Sequence, residues 1–184
     1  MLRSCLALLA IAAASPLAAA TQPPNPQIDY PAYARLAQEV RDYRAARLID
    51  WRTFLAAAAQ GDVLLLDARS ERQFAAGHLA GAVNLPLPEF SEERLAELIG
   101  RSDRPILIYC NNNFRNDRPP VALKSMPVAL NIPTFLHLYA YGYRNIRELN
   151  DVMDIDDPRL PWVRSPSVAS GNGVPATRGR AERP

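Results

Sequence analysis

The clearest chemistry in this chain lies where an apolar run meets a cysteine followed by three asparagines. In Ile106-Leu107-Ile108-Tyr109-Cys110-Asn111-Asn112-Asn113-Phe114-Arg115, the residues up to Tyr109 have the length and apolarity of a strand buried on both faces. A strand of that kind delivers Cys110 to its carboxyl end, where open α/β sheets place their sites. Asn tolerates the left-handed backbone of tight loops, and successive N–H groups turned inward make an anion-binding nest around the sulfur. A helix starting after the loop would add its positive end. Both effects favour thiolate over thiol, and the thiolate is the nucleophile. On this reading Cys110 reacts, Asn111, Asn112, Asn113, Phe114 and Arg115 hold it, and its pKa falls below the usual value of about 8.5. The competing reading is a buried cysteine acting as a small hydrophobe at a strand end.

Other reactive types are weaker candidates. Asp67 and Arg69 either support the site or form an ion pair that fixes a strand end. His78 follows Gly77 at an expected helix end, which fits capping or packing. His137 lies among Phe135, Tyr139 and Tyr141, which fits packing, and the Tyr139-Tyr141-Tyr143 cluster reads as core and rim. Two separated histidines and one mature cysteine have no metal-ligand spacing, so neither metal nor cofactor is expected.

These residues need elements to position them. The chain has 184 residues, which fits one domain with tails, and 48% of them are hydrophobic. Its 21 basic and 19 acidic residues nearly balance, which removes the electrostatic reason to expect nucleic acid. Residues 1–20 have the form of a signal peptide: Arg3, an apolar run from Leu6 to Ala14, then Ala18-Ala19-Ala20. Cleavage before Thr21 implies an exported, periplasmic or secreted protein with no membrane attachment. The alternative is an uncleaved anchor. Cys5 precedes the apolar run, whereas a lipoprotein cysteine would end it. Removal of the leader leaves Cys110 without an intramolecular disulfide partner, so its retention in an oxidising compartment asks for a role.

Residues 21–46 form a polar leader and an amphipathic helix from Tyr33 to Arg47 lying outside the main fold. A helix capped by Asp50 runs from Trp51 to about Gln60, and a strand follows at Val63–Leu66. A short helix is expected from Ser70 to Ala76, a strand at Ala82–Leu85, and a helix from Ser91 to Ile99. The third strand is Pro105–Tyr109. After an uncertain Pro-rich stretch, a helix at Thr134–Tyr141 leads back to the sheet at Tyr143–Leu149. Alternating strands and helices predict an α/β fold with a mainly parallel central sheet and helices on both faces, over residues 47–164. From 165 the chain reads as a disordered tail.

In this order the motifs resemble those of rhodanese-like domains. Asp67-Ala68-Arg69, Phe74, Gly77-His78-Leu79 and Gly81-Ala82-Val83-Asn84-Leu85 resemble the family's first signature. Cys110 with Arg115 five positions later resembles its active-site loop, and Gly142-Tyr143-Arg144-Asn145-Ile146 its last-strand motif. The resemblance covers about residues 47–150. It implies a single-domain sulfurtransferase that carries sulfane sulfur as a persulfide on Cys110, cradled by the loop amides. Its partners would be a small sulfur donor and a thiol or cyanide-like acceptor. Related phosphatases of this fold place Arg six positions after Cys, where this chain has Asn116, so a phosphatase is disfavoured.

Two departures bear on activity. The loop lacks the basic residue after the cysteine and the glycine found in many thiosulfate-using members. With Arg115 as its only cation it should attract thiosulfate weakly and suit a neutral or singly charged persulfide better. The interval to Gly142 is long, which implies an insertion around residues 116–133 that shapes a groove or is plain surface loop. The alternative to an enzyme is a weak or inactive module binding a partner protein or an anion. A thiol redox protein is disfavoured by the lack of a resolving cysteine.

Overall fold

Two apolar runs of strand length become two neighbouring inner strands of the sheet. A computed structural model describes residues 25–164. The leader at 1–20 and the tail from 165 lie outside these residues. In chain order the elements are α1 (Tyr30–Ala45), β1 (Leu48–Ile49), α2 (Trp51–Ala58), β2 (Leu64–Asp67), α3 (Glu71–Ala76), β3 (His78–Leu79), β4 (Val83–Asn84), α4 (Glu92–Ile99), β5 (Ile106–Tyr109), α5 (Asn131–Ala140), β6 (Ile146–Leu149) and β7 (Trp162–Val163).

A five-stranded parallel sheet has the order β1-β6-β5-β2-β4. Alternation along β2 and β5 divides the core between its faces. Leu64, Leu66, Ile106 and Ile108 meet α4 and α5, whereas Leu65, Leu107 and Tyr109 meet Phe54 of α2. Local signals set the helix ends: Asp50, Ser70 and Ser91 accept from Thr53, Gln73 and Arg94 amides, and Gly77 and Gly100 close α3 and α4. Among the described residues no helix is long and apolar enough to cross a membrane.

The structure corrects two expectations and adds a second sheet. The first helix is part of the main fold: Val40 is buried in the core beside α5 residues, with Leu36, Ala37 and Tyr43 packed around it. Only this narrow stripe is apolar, so the sequence reads as a free amphipathic helix. Next, α5 starts at Asn131, because Pro133 sits in its first turn, where a missing N–H breaks no helical bond. Finally, β7 pairs antiparallel with β3, a second sheet of two strands too short to show a period in sequence.

That small sheet brings Trp162 over Gly77. A Cβ at Gly77 would lie 2.7 Å from Cε2 of Trp162, which is shorter than van der Waals contact. Gly77→Ala is therefore expected to cost about 1–3 kcal/mol through overpacking, read as a lower midpoint in urea unfolding. Gly61→Ala, where nothing lies within 4 Å, serves as the control. Equal midpoints for the two variants would show that Trp162 moves aside freely.

Candidate active site

Cys110 stands one residue beyond β5 and opens a short 3-10 turn, Asn111–Asn113. Strand alternation puts it on the face of Ile108 and β6's Glu148, opposite to Tyr109. It is 1% exposed.

Each asparagine of the loop does something different. Asn113 is structural: its Oδ1 accepts from the Cys110 amide at 2.9 Å and from Asn131 Nδ2 at 3.0 Å. Its own Nδ2 donates to the carbonyls of Leu149 (2.7 Å) and Asp151 (3.1 Å) at the end of β6. Asn112 clamps the insertion: Nδ2 donates to Lys124 O at 2.8 Å, and Lys124 N donates to Oδ1 at 3.2 Å. Asn111 is 1% exposed, and neither its Nδ2 nor its Oδ1 has a partner among the described residues.

The expected cradle forms only in part. Three loop amides donate elsewhere: Asn113 to Cys110 O (3.1 Å), Phe114 to Asn111 O (3.0 Å) and Arg115 to Met153 O (2.9 Å). Within the loop the Asn112 amide lies beside the sulfur and the Asn113 amide, shared with Cys110 O, also reaches the Cys110 side chain, and Leu130 and Asn131 at the start of α5 supply two more. A helix beginning does back the cysteine, although it follows an insertion instead of the loop itself. Phe114 is buried edge-on against Tyr109 and Trp162, with ring centroids 6.1 and 5.0 Å away. Arg115 is exposed and its guanidinium donates to Val152 O at 3.4 Å.

Residues 152–156 tie the loop down. Met153 N donates to Asn113 O at 2.7 Å, Asn116 Nδ2 donates to Asp154 at 2.6 Å, and Arg118 pairs with Asp156 at 2.7 Å. A surface cleft of about 670 Å³ opens on this strap, lined by Arg115, Met153, Asp154, Asp157 and Arg159 among others. Cys110 does not line it, so this cleft is separate from the thiol.

Burial pushes the Cys110 thiol above its ordinary pKa; the amides of Asn112, Asn131 and Leu130 pull it down, and the Glu148 carboxylate pushes it up again. The net direction is upward, which corrects the low pKa expected from the loop alone. Glu148 is itself buried, with its carboxylate paired to Arg44 Nε at 2.7 Å.

Asp67 and Arg69 belong to the other face. Their side chains are 0% exposed and form an ion pair of 2.5 Å. Tyr109 donates its hydroxyl to Asp67 at 2.6 Å, while Arg69 reaches Gly77 O (2.8 Å) and Pro120 O (3.2 Å). The pair locks β2 to β5 and to the insertion instead of facing the sulfur. His78 binds Phe74 O through Nδ1 at 2.7 Å and stacks on the Phe74 ring. His137 is half-buried, which lowers its pKa, and lies edge-on to Phe90.

Asn131, Leu130, Glu148 and Arg44 were absent from the sequence reading. Leu130 and Asn131 lie fifteen and sixteen residues past Arg115 with no motif of their own. Position could have revealed Glu148, a carboxylate on the same side of β6 as the buried Ile146.

The family model described as the rhodanese-like domain matches residues 36–150. The chain belongs to this family. Its start at 36 agrees with the packing of α1 into the rhodanese-like core. Among curated proteins, the HTH-type transcriptional regulator Rv0324 of Mycobacterium tuberculosis is 44% identical over 54 residues, 29% of this chain and 23% of that protein. The uncharacterized protein YqhL of Bacillus subtilis is 37% identical over 60 residues, 33% of this chain and 45% of that protein. The chain thus matches less than half the length of each. Among solved structures, the thiosulfate sulfurtransferase of Pseudomonas aeruginosa shares 25% identity at TM-score 0.45, covering 64% of this chain and 20% of that one. A rhodanese with anions from E. coli shares 22% at TM-score 0.38, covering 56% and 99%.

Proposed function

We propose that this rhodanese-like domain is a sulfurtransferase carrying sulfane sulfur as a persulfide on Cys110. One observation carries the proposal: Cys110 stands at the carboxyl end of the central strand β5 and caps the Asn111–Asn113 turn, with main-chain amides that include those of Asn112, Leu130 and Asn131 beside its sulfur. Amides so placed stabilise negative charge on sulfur, whether a thiolate or the outer sulfur of a persulfide. The thiolate attacks the donor's sulfane sulfur, the donor's bond to that sulfur breaks, and its electron pair leaves with the remainder. A thiol or cyanide-like acceptor then attacks the outer sulfur and regenerates Cys110 thiolate. No cofactor takes part. Because the thiol is buried, reaction requires a local opening that exposes it.

The same burial favours a second reading, a catalytically silent module that binds a protein or an anion. Thiocyanate release decides between them. Protein incubated with a sulfur donor, desalted and exposed to cyanide is expected to release thiocyanate, and Cys110→Ser is expected to release none. No release from wild type with any donor would favour the silent module.

Export is part of the proposal and rests on Arg3, the apolar run and Ala18-Ala19-Ala20. N-terminal sequencing of the native protein should begin at or near Thr21. An intact Met1 in a cytoplasmic pool would contradict it.

A further inference from the structure

Three buried polar atoms among the described residues have no hydrogen-bond partner: Nδ2 and Oδ1 of Asn111, and Oδ1 of Asn131. Asn111 is 1% exposed and Asn131 is 5% exposed. An unpaired buried polar atom costs about 1–3 kcal/mol, so packing alone would favour apolar residues here. Both residues adjoin the thiol. Asn111 follows Cys110 in the chain. The Asn131 main-chain N–H faces the sulfur, and its Nδ2 shares the Asn113 oxygen that accepts from the Cys110 amide.

We infer that the Asn111 and Asn131 carboxamides recognise the sulfur donor, and that this donor is a hydropersulfide, R–S–SH, in its protonated form. The inference rests on the sulfurtransferase reading. The free atoms are two carbonyl oxygens and one NH2 group, all of them uncharged. Carbonyl oxygens accept an S–H and repel the oxygens of a dianion such as thiosulfate. Arg115, the loop's one cation, binds Val152 O, and the nearby carboxylate of Glu148 adds negative potential. A protonated outer sulfur is also the electrophilic one, because a deprotonated persulfide repels thiolate. The exchange balances as Cys110–SH plus R–S–SH giving Cys110–S–SH plus R–SH. The donor's S–S bond breaks, a new one forms at Cys110, and the Cys110 proton goes to the leaving thiolate with no net oxidation.

The test measures initial rates of sulfur loading, by intact mass, from glutathione hydropersulfide and from thiosulfate. Wild type should load at least tenfold faster from the hydropersulfide. Asn111→Leu, close in size and free of the unpaired atoms, should lose most of that preference while its unfolding midpoint holds or rises. Asn111→Ala gives the same readout if leucine does not fold. An unchanged donor ratio in the folded variant, or a wild type that prefers thiosulfate, would overturn the inference and leave the sulfurtransferase reading standing. No loading of wild type from either donor would remove both.

Discussion

Arg69→Ala is expected to cost about 3–5 kcal/mol of folding free energy, because it leaves the Asp67 carboxylate buried without its cation. Both side chains are 0% exposed, so water cannot take the place of the lost guanidinium. The Arg69 contacts to Gly77 O and Pro120 O go with it, loosening both α3's end and the insertion. For a chain of this size that cost corresponds to a fall in Tm of roughly 6–20 °C. Asp67→Asn combined with Arg69→Met should recover part of the loss, since an amide still accepts from Tyr109 and no buried charge remains. The exposed Arg94–Glu97 pair provides the scale for comparison, as breaking it should cost under about 1 kcal/mol. Thermal unfolding of all three variants checks this. A loss in Arg69→Ala no larger than at Arg94 would mean that the buried network is relaxed or hydrated.

The second large effect concerns the state of the Cys110 thiol. Burial holds its pKa above the ordinary value of about 8.5, so at pH 7 native protein should alkylate at least tenfold more slowly than urea-unfolded protein. The sign for stability follows from proton counting. Between about pH 8.5 and the higher folded value, the unfolded chain sheds the thiol proton while the folded chain keeps it. Stability is therefore fully present below that window and declines as pH rises through it. Tyr109, also pushed up by burial, adds a decline of the same sign at higher pH. The difference between wild type and Cys110→Ala in urea unfolding, from pH 7 to 10, isolates the cysteine. Fast alkylation of native protein at pH 7 would mean that the amides outweigh burial.

The parts of this fold legible in sequence are those whose signals are local. Leu64–Leu66 and Ile106–Tyr109 are apolar runs that only a two-sided burial explains, and Ser91 with Gly100 brackets α4 at both ends. The placement of Cys110 beyond β5 follows from the same run. What escaped depends on distant pairing. Loop residues 113–115 look free to form a nest until Met153 takes one of their amides and donates to one of their carbonyls. The thiol's direction of shift escaped for a similar reason, since a nest argument counts dipoles and omits desolvation. Asn111, Asn112 and Asn113 read alike in sequence, yet one is an unpaired buried amide, one a clamp on Lys124 and one a brace to β6. The helix α1 was legible, but its packing into the core escaped because its fully buried face is Val40 alone.

Intact mass spectrometry after brief exposure to glutathione hydropersulfide tests the central claim most directly. Wild-type protein is expected to gain the mass of a single sulfur atom, to lose it on addition of cyanide, and to gain nothing once Cys110 is serine. A wild type that keeps its mass in folded form, or a Cys110→Ser variant that gains the same sulfur, would contradict the assignment of Cys110 as the sulfur carrier.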